Sequence, residues 1–218
     1  GMVDIVIGTH ALIEEDVLFK NLGLIVIDEQ HRFGVNQRRL LREKGSLANL
    51  IVMSATPIPR SLALTVYGDL DISIIDELPS GRIPVKTKWI KNDQEKEKMY
   101  EFIEKKIQEG RQIYVVSPLI EESETLNVKS AEETFEEYSS IFRERKLALI
   151  HGKQKNIEKQ EIMRKFKKGE LDILISTTVI EVGVNVPNAS VMVIRDAQRF
   201  GLSSLHQLRG RVGRGKYR

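Results

Sequence analysis

Short runs of consecutive aliphatic and β-branched residues recur along this chain, and they end in small or polar residues. Because polar residues do not alternate within them, these runs suit strands that are buried on both faces of a parallel sheet. We predict eight such strands, at residues 4–7, Leu24–Ile27, 50–53, 85–90, 112–116, Leu147–Ile150, 172–175 and 190–194.

Two segments between these runs, residues 94–108 and 157–168, carry apolar side chains at the spacing of an amphipathic helix. Strands that alternate with helices form βαβ units, in which the strands are parallel. The expected fold class is therefore α/β, with mostly parallel sheets flanked by helices. Turn-forming residues at 78–84 separate two groups of these elements, which predicts two domains, residues 1–80 and 81–218.

The composition excludes several classes of protein. The 218 residues include no cysteine, which excludes disulfide bonds, thiolate zinc sites and cysteine nucleophiles. The longest apolar runs fall far below the ~18 residues that span a bilayer, so no membrane partner is expected. With 34 basic and 31 acidic residues, the net charge of +3 is too small to indicate nucleic acid by itself. We expect a soluble protein of a reducing compartment such as the cytoplasm.

Charge is unevenly distributed along the chain. Residues 121–137 hold seven glutamates and one lysine, and we predict that this run is a solvated surface. Residues 195–218 hold seven basic residues and one aspartate, and arginines near the end of this segment are regularly spaced between glycines. The second segment is therefore a candidate site.

Two adjacent carboxylates, Asp28 and Glu29, follow the predicted strand Leu24–Ile27. Ligands of open parallel sheets bind beyond the carboxyl ends of the strands. Mg²⁺ takes oxygen ligands and keeps several waters, so one carboxylate could hold a magnesium-bound nucleotide while the next polarises an attacking water. An acidic helix cap after a buried strand is an equally good interpretation of this pair alone.

Hydroxyl residues follow two further predicted strands. Ser54 and Thr56 come after residues 50–53, and Thr177 and Thr178 come shortly after residues 172–175. Hydroxyl groups at a strand end can bond a neighbouring carboxylate or phosphate. Taken in isolation, an ordinary turn accounts for the first stretch, and a cap between strand and helix accounts for the second.

The basic segment contains Gln207, Arg211 and Arg214 at positions i, i+4 and i+7, so on a helix they share one face. Gly210 and Gly213 each cost about 1 kcal/mol relative to alanine in a helix, which predicts a need for close backbone packing. Arginine keeps its proton, so this face carries permanent charge suited to a transferring phosphoryl group. The alternative is a basic patch that binds the nucleic-acid backbone, or nothing.

In this order, the four sites resemble the later motifs of superfamily 2 helicases. Residues 28–31 are similar to motif II, 54–56 to motif III, 177–185 to motif V and 207–214 to motif VI. More specific matches to the RecG family, bacterial DNA helicases that migrate branches, are carried by residues 28–35, 54–60, 68–71 and 118–123. The nearest rival is the translocase module of transcription-repair coupling factors, which typically has glutamate where Gln30 stands.

This resemblance implies two RecA-like lobes that bind ATP with Mg²⁺ in a cleft, and duplex or branched DNA as the partner. Residues 1–80 would be the C-terminal part of the first lobe, and 81–218 an incomplete second lobe. No segment of the sequence matches the phosphate-binding pattern Gly-x-x-x-x-Gly-Lys-Ser/Thr. We therefore expect this chain to be a piece of a longer, monomeric helicase and to be inactive alone.

The resemblance also assigns roles to individual residues. The catalytic set is Asp28, which would hold Mg²⁺, with Glu29, Gln207, Arg211 and Arg214. The residues that would couple nucleotide state to DNA contacts are Gln30, His31, Ser54 and Thr56. The nucleotide-binding pair is Gly183 and Asn185. The residues that would face DNA are Thr9, His10, Arg60, His151, Gly152, Thr177 and Thr178.

Two observations favour alternatives to this assignment. Asn185 stands where motif V usually has aspartate, and an amide keeps one acceptor but loses the charge. Together with the missing phosphate-binding pattern and the basic segment, it supports a second hypothesis, a non-catalytic module that binds nucleic acid or docks to a protein. For His10 and His151, a surface or packed histidine is the alternative to a DNA contact.

Overall fold

The computed structural model describes residues 3–29, 40, 44–45, 47–54, 70–77, 84–118, 124–177, 186–213 and 215. The strands in these ranges are β1 (Leu24–Ile27), β2 (Asn49–Val52), β3 (Gln112–Ser117), β4 (Leu147–Ile150), β5 (Ile173–Thr177) and β6 (Ala189–Ile194). The α-helices there are α1 (Asp93–Gln108), α2 (Glu124–Ile141), α3 (Asn156–Lys167) and α4 (Leu202–Arg209), and short 3-10 turns lie at His10–Ile13 and Ala197–Arg199. The chain divides into two units, Gly1–Ile72 and Ser73–Arg218.

The first unit contains the parallel pair β1 and β2, in which Leu24 lies opposite Asn49 and Ile27 opposite Val52. Side chains alternate between the two faces of a strand, and in β1 Ile25 and Ile27 are buried. The intervening Leu24 and Val26 are half-exposed. The prediction of burial on both faces is therefore wrong for β1, because only one face of this strand is covered.

The second unit is built on a four-stranded parallel sheet with the order β4–β5–β3–β6. Helices α1 and α2 contribute Ile103, Ile107 and Tyr138 to a core on one face. Phe142, the residue after α2, and Ile113 of β3 pack in the same core. The opposite face carries a second core, whose buried members are Tyr114, Ile150, Phe166, Leu174, Val186, Ala189 and Val212. Both faces of the central strands are buried, so the α/β prediction with a parallel sheet is confirmed here.

Local chemistry explains where α1 begins and ends. The Asn92 side chain accepts a hydrogen bond from the Glu95 N–H at 2.9 Å, and the Glu95 carboxylate accepts one from the Lys91 N–H at 2.9 Å. These two bonds satisfy amide groups that have no partner within the helix. The helix ends before Gly110, whose φ of 76° favours glycine. The predicted helices 94–108 and 157–168 each agree with the observed bounds to within one residue.

Two predicted strands do not form in the described part of the chain. Residues 4–7 are exposed, with Ile5 at 78% and Ile7 at 93%, so the apolar run is not covered. Residues 85–90 form no strand, and Trp89 is 76% exposed. An apolar run becomes a strand only where a neighbouring strand supplies hydrogen bonds, and the described residues supply none to either segment.

The acidic run also differs from its prediction. Helix α2 covers most of it, and Ala131, Thr134 and Tyr138 on its inward face are buried. These residues are three and four positions apart, which is the spacing of one face of an α-helix. The many glutamates around them make this pattern hard to recognise in the sequence. The interpretation of residues 121–137 as a solvated surface is therefore wrong for this face of α2.

Among the described residues, no helix combines the length and the apolar character that crossing a membrane requires.

Candidate functional site

The first candidate site lies where β1 ends. Asp28 is exposed, and its Oδ1 accepts a hydrogen bond from the Glu29 N–H at 2.8 Å. Glu29 has a φ of 51°, in the left-handed region that residues with a Cβ rarely adopt. The backbone therefore turns sharply here, and two consecutive carboxylates lie just beyond the strand end.

Ser54 is brought to the same edge by the pairing of β1 with β2. The Met53 N–H donates to the Ile27 carbonyl at 2.8 Å, which continues the ladder by one bond beyond the strand. This register places Asp28 and Glu29 beside the chain segment that carries Ser54. Predicted members of this group that lie outside the described residues are Gln30, His31, Thr56 and Arg60.

Thr9 and His10 belong to a different part of the first unit. His10 begins the 3-10 turn at His10–Ile13, and the Thr9 carbonyl accepts a hydrogen bond from the Leu12 N–H at 3.0 Å. Both side chains are exposed, while Ile13 anchors the turn in the core. The Thr9 hydroxyl and the His10 imidazole therefore lie on the surface of the first unit.

The second unit gathers polar residues at the carboxyl edge of its sheet. Ser117 pairs with Thr177 at the ends of β3 and β5, and Ile150 of β4 pairs with Ser176. On the other side, the Arg195 N–H donates to the Val116 carbonyl at 2.8 Å just beyond the end of β6. Because all four strands are parallel, this edge corresponds to the position at which open sheets bind ligands.

Strand β5 continues two residues beyond its predicted end at residue 175. Ser176 and Thr177 are its last members, and both are buried, each at 1% exposure. Their hydroxyl oxygens have no hydrogen-bond partner among the described residues. The prediction places Thr177 beyond the strand end, but it is the last residue of β5, because the pairing of β5 with β3 continues to Thr177 opposite Ser117. Thr178, Gly183 and Asn185 lie outside the described residues.

His151 and Gly152 form the turn that follows β4. The Gln154 side chain closes this turn, since it accepts from the His151 N–H at 3.1 Å and donates to the Leu149 carbonyl at 3.1 Å. Lys159 of α3 donates to the Gly152 carbonyl at 3.1 Å. The His151 Nδ1 atom is buried and has no partner within the described part of the chain.

The basic segment is not one continuous helix. Helix α4 includes Gln207 but ends at Arg209, and Arg211 lies in the turn that follows. Val212 is buried in the core, and Gly213 has a φ of 67° that a helix does not allow. The predicted common face of Gln207, Arg211 and Arg214 on one helix is therefore wrong, and Arg214 lies outside the described residues.

The close backbone packing expected of glycines occurs later in this segment, at Gly215. A Cβ atom on Gly215 would lie 2.3 Å from the Pro187 carbonyl oxygen, so only glycine fits there. Gly210 is instead the residue after α4, with its N–H donating to the His206 carbonyl at 3.1 Å.

One charged cluster was missed by the sequence interpretation. The Glu137 carboxylate accepts hydrogen bonds from Arg195 Nη1 at 2.5 Å and from the Tyr100 hydroxyl at 2.6 Å, and it pairs with Lys96 Nζ at 2.6 Å. Burial would raise the pKa of Glu137, but these three donors outweigh it and lower the pKa to about 2. Burial and the Glu137 carboxylate raise the pKa of the Tyr100 hydroxyl.

The donor chemistry at the end of β1 fits a magnesium ion that arrives with a nucleotide. Such an ion takes one or two carboxylates and completes its shell with phosphate oxygens and water. Asp28 is an exposed carboxylate with one oxygen engaged by the Glu29 N–H. The described residues contain no group of three or more acidic or imidazole side chains that could hold an ion by themselves.

Two family models match this chain. Residues 94–216 match the helicase conserved C-terminal domain, and residues 1–65 match the DEAD/DEAH box helicase. The chain is 59% identical over 216 residues to the ATP-dependent DNA helicase RecG of Streptococcus pneumoniae, covering 99% of this chain and 32% of that protein. It is 58% identical over 216 residues to the protein of the same name from Thermotoga maritima, covering 99% of this chain and 28% of that protein. The chain thus spans about a third of these relatives.

Solved structures show the same similarity in three dimensions. A structure of RecG bound to a three-way DNA junction superposes with a TM-score of 0.71 at 51% identity, covering 99% of this chain and 27% of that one. The Saccharomyces cerevisiae protein Dbp5, bound to RNA and ADP BeF3, gives a TM-score of 0.63 at 17% identity, covering 94% of this chain and 54% of that one. These likenesses confirm the prediction of RecA-like lobes with parallel sheets flanked by helices.

Proposed function

Because this chain belongs to the helicase family with the conserved C-terminal domain, we propose that the protein containing it is an ATP-dependent DNA translocase of the RecG type. Its substrates would be branched DNA molecules such as replication forks and Holliday junctions. The observation that carries the proposal is identity of 58–59% over nearly the whole chain to proteins named ATP-dependent DNA helicase RecG. A cytoplasmic location in a bacterium and a monomeric parent protein belong to the same proposal.

ATP hydrolysis would depend on carboxylate, amide and guanidinium side chains. Mg²⁺ bound with ATP would neutralise charge on the phosphates. Asp28 would hold this ion, and Glu29 would orient the attacking water. Gln207, Arg211 and Arg214 would contact the γ-phosphate, where the fixed charge of arginine stabilises the transferring group.

The remaining assignments concern coupling, nucleotide binding and contacts to DNA. Ser54, next to Asp28 and Glu29 in the β1–β2 pair, would respond to the nucleotide together with Gln30, His31 and Thr56. Gly183 and Asn185 would contact the nucleotide. The proposed contacts to the DNA backbone are Thr9, His10, Arg60, His151, Gly152, Thr177 and Thr178. We propose the domain boundary between residues 80 and 81.

Arg211→Ala in the full-length protein tests the enzymatic proposal. An arginine that acts on the transferring phosphoryl group contributes about 10³–10⁵ in rate, so we expect DNA-stimulated ATP hydrolysis to fall by at least about 10³-fold. ATP binding should remain within a few fold. The matched control is Arg209→Ala, which removes an exposed arginine two residues earlier and should leave turnover nearly unchanged.

Two outcomes would count against the proposal. Unchanged turnover in Arg211→Ala would remove this residue from the mechanism. If the unmodified full-length protein does not hydrolyse ATP with branched DNA, the enzymatic proposal fails, and a module that only binds nucleic acid becomes the better interpretation.

A further inference from the structure

The Glu137 carboxylate lies where three parts of the second unit meet. Glu137 is on α2, Lys96 and Tyr100 are on α1, and Arg195 is the first residue after β6. Each contact to the carboxylate is 2.5–2.6 Å long. The cluster therefore ties two helices to the chain that leaves the carboxyl edge of the sheet.

The surroundings of this cluster make its contacts stronger than those of an exposed ion pair. The side chains of Glu137 and Arg195 are 27% and 31% exposed. The ring of Tyr100 packs edge-on against the ring of Tyr138, with centroids 5.7 Å apart, and Lys96 lies 5.7 Å above the Tyr100 ring. Reduced contact with water lowers the screening of these charges.

Arg195 begins the connection between β6 and α4. The next residue, Asp196, has a φ of 46° and a ψ of 50°, and the turn Ala197–Arg199 follows. A left-handed residue other than glycine costs free energy, so the surrounding structure must hold this path. The Arg195–Glu137 hydrogen bond is a side-chain anchor for the connection on α2.

A second contact joins α2 to the same edge of the sheet. The hydroxyls of Ser117, at the end of β3, and Thr134, about one turn before Glu137, are 3.1 Å apart, and Thr134 also donates to the Ser130 carbonyl at 2.9 Å. Helix α2 therefore holds the end of β3 and the chain after β6 with two side chains on one face.

We propose that Glu137 is a positioning residue, which fixes Arg195 and through it the path that places α4, Gln207 and Arg211. This inference rests on the proposed ATP hydrolysis, because Gln207 and Arg211 are assigned there to the γ-phosphate. Its structural part, the anchoring of residues 195–201, can be measured without any nucleotide.

Amide hydrogen exchange of this chain tests the anchor. The amides of Arg199 and Phe200 bond the carbonyls of Asp196 and Ala197 at 2.9 and 3.1 Å, so they report on this connection. In Glu137→Gln we expect both to exchange about 10-fold faster, because local opening becomes easier. Unchanged exchange would overturn the proposal.

The matched control is Glu104→Gln. It removes the ion pair between Glu104 of α1 and Arg145, whose side chains are 34% and 26% exposed, close to the values of the Glu137 pair. Arg145 precedes β4, at the opposite edge of the sheet. Exchange at residues 199 and 200 should not change in this variant, and an equal acceleration would show a general loss of stability instead of a local anchor.

Steady-state kinetics of the full-length protein with branched DNA test the consequence for activity. We expect Glu137→Gln to lower kcat for ATP hydrolysis by about 10- to 100-fold with KM within about twofold, because misplacement of a catalytic group costs rate. Glu104→Gln should keep kcat within about twofold. An unchanged kcat in Glu137→Gln, or equal losses in both variants, would overturn the positioning role.

The double variant Glu137→Gln with Arg195→Gln distinguishes action through Arg195 from independent effects. If the two residues act as one unit, the double variant loses no more kcat than the worse single variant. If the fold-losses in kcat of the two single variants multiply in the double variant, action through Arg195 is refuted. Inactivity of the unmodified protein would defeat the proposed function, whereas the exchange experiment decides the anchor separately.

Discussion

At the scale of single residues, two places hold charged side chains under conditions that cost free energy. Asp28 and Glu29 follow β1 directly, and the left-handed backbone of Glu29 holds two carboxylates in consecutive positions despite its conformational cost. Near the corresponding edge of the second sheet, the Glu137 carboxylate contacts two cations, Arg195 and Lys96, and the Tyr100 hydroxyl. In both places a residue is kept in a costly state, a strained backbone or a half-buried charge, by the structure around it.

The lowered pKa of Glu137 predicts how its contribution to stability depends on pH. Its pKa is about 2 in the folded chain, against an ordinary value of 4.5. A group with a lowered folded pKa stabilises the fold fully above its ordinary pKa, and this contribution is lost as the pH falls toward the folded value. We therefore expect Glu137→Gln to reduce the free energy of unfolding by about 1–2 kcal/mol near neutral pH.

The decrease in the free energy of unfolding caused by Glu137→Gln should become smaller as the pH falls from about 5 toward 2. The reason is that the Glu137 carboxylate of the unmodified chain then becomes protonated and neutral, like the glutamine side chain. Urea unfolding of the two chains at a series of pH values measures it. Glu136→Gln, which changes the exposed neighbouring glutamate, should have little effect at any pH. A reduction that stays constant throughout the acid range would disprove the assignment of the pH dependence to Glu137.

At the scale of helices and strands, the ends are set by a few particular residues. Helix α1 begins where the Asn92 side chain accepts from the Glu95 N–H and the Glu95 carboxylate accepts from the Lys91 N–H, contacts that local sequence chemistry supplies. Helix α4 ends at Arg209, where Val212 enters the core and Gly213 takes a positive φ. The second end depends on tertiary packing, so the periodic spacing of Gln207, Arg211 and Arg214 predicted a longer helix than the one that forms.

Asn92→Ala tests the contribution of the Asn92 side chain to the beginning of α1. Loss of an N-cap side chain costs about 1 kcal/mol, so we expect a decrease of that size in the free energy of unfolding of this chain. Urea unfolding followed by circular dichroism measures it. Gln94→Ala, an exposed change in the first turn of the same helix, should be nearly neutral, and a decrease as large as that of Asn92→Ala would argue against the cap.

At the scale of the whole molecule, the described residues form two units, each built on parallel strands with polar residues at the carboxyl edge. The second unit buries both faces of its sheet, whereas in the first unit one face of β1 is half-exposed. The family match over residues 94–216 coincides largely with the second unit. The proposed activity requires groups that bind the β- and γ-phosphates, and the sequence has no match to the phosphate-binding pattern.

We predict that the 218-residue chain by itself hydrolyses ATP at a negligible rate with branched DNA, whereas the full-length protein is active. The reason is that a phosphate-binding loop and its lysine supply most contacts to the transferring group. Colorimetric phosphate release from both proteins, at equal concentration and on the same DNA, makes the comparison. Comparable turnover of the two would show that the loop is dispensable.

The amino-acid sequence by itself determined the α/β class, six of the eight predicted strands, two helices and the place of Asp28 and Glu29 after β1, because these depend on neighbours within a few residues. Tertiary structure decided the rest. Glu137 meets Arg195 across 58 positions and Tyr100 across 37, and no local pattern encodes such a contact. The same holds for residues 4–7 and 85–90, which pair with no strand in the described part of the chain, because a strand also needs a neighbour that the fold brings beside it.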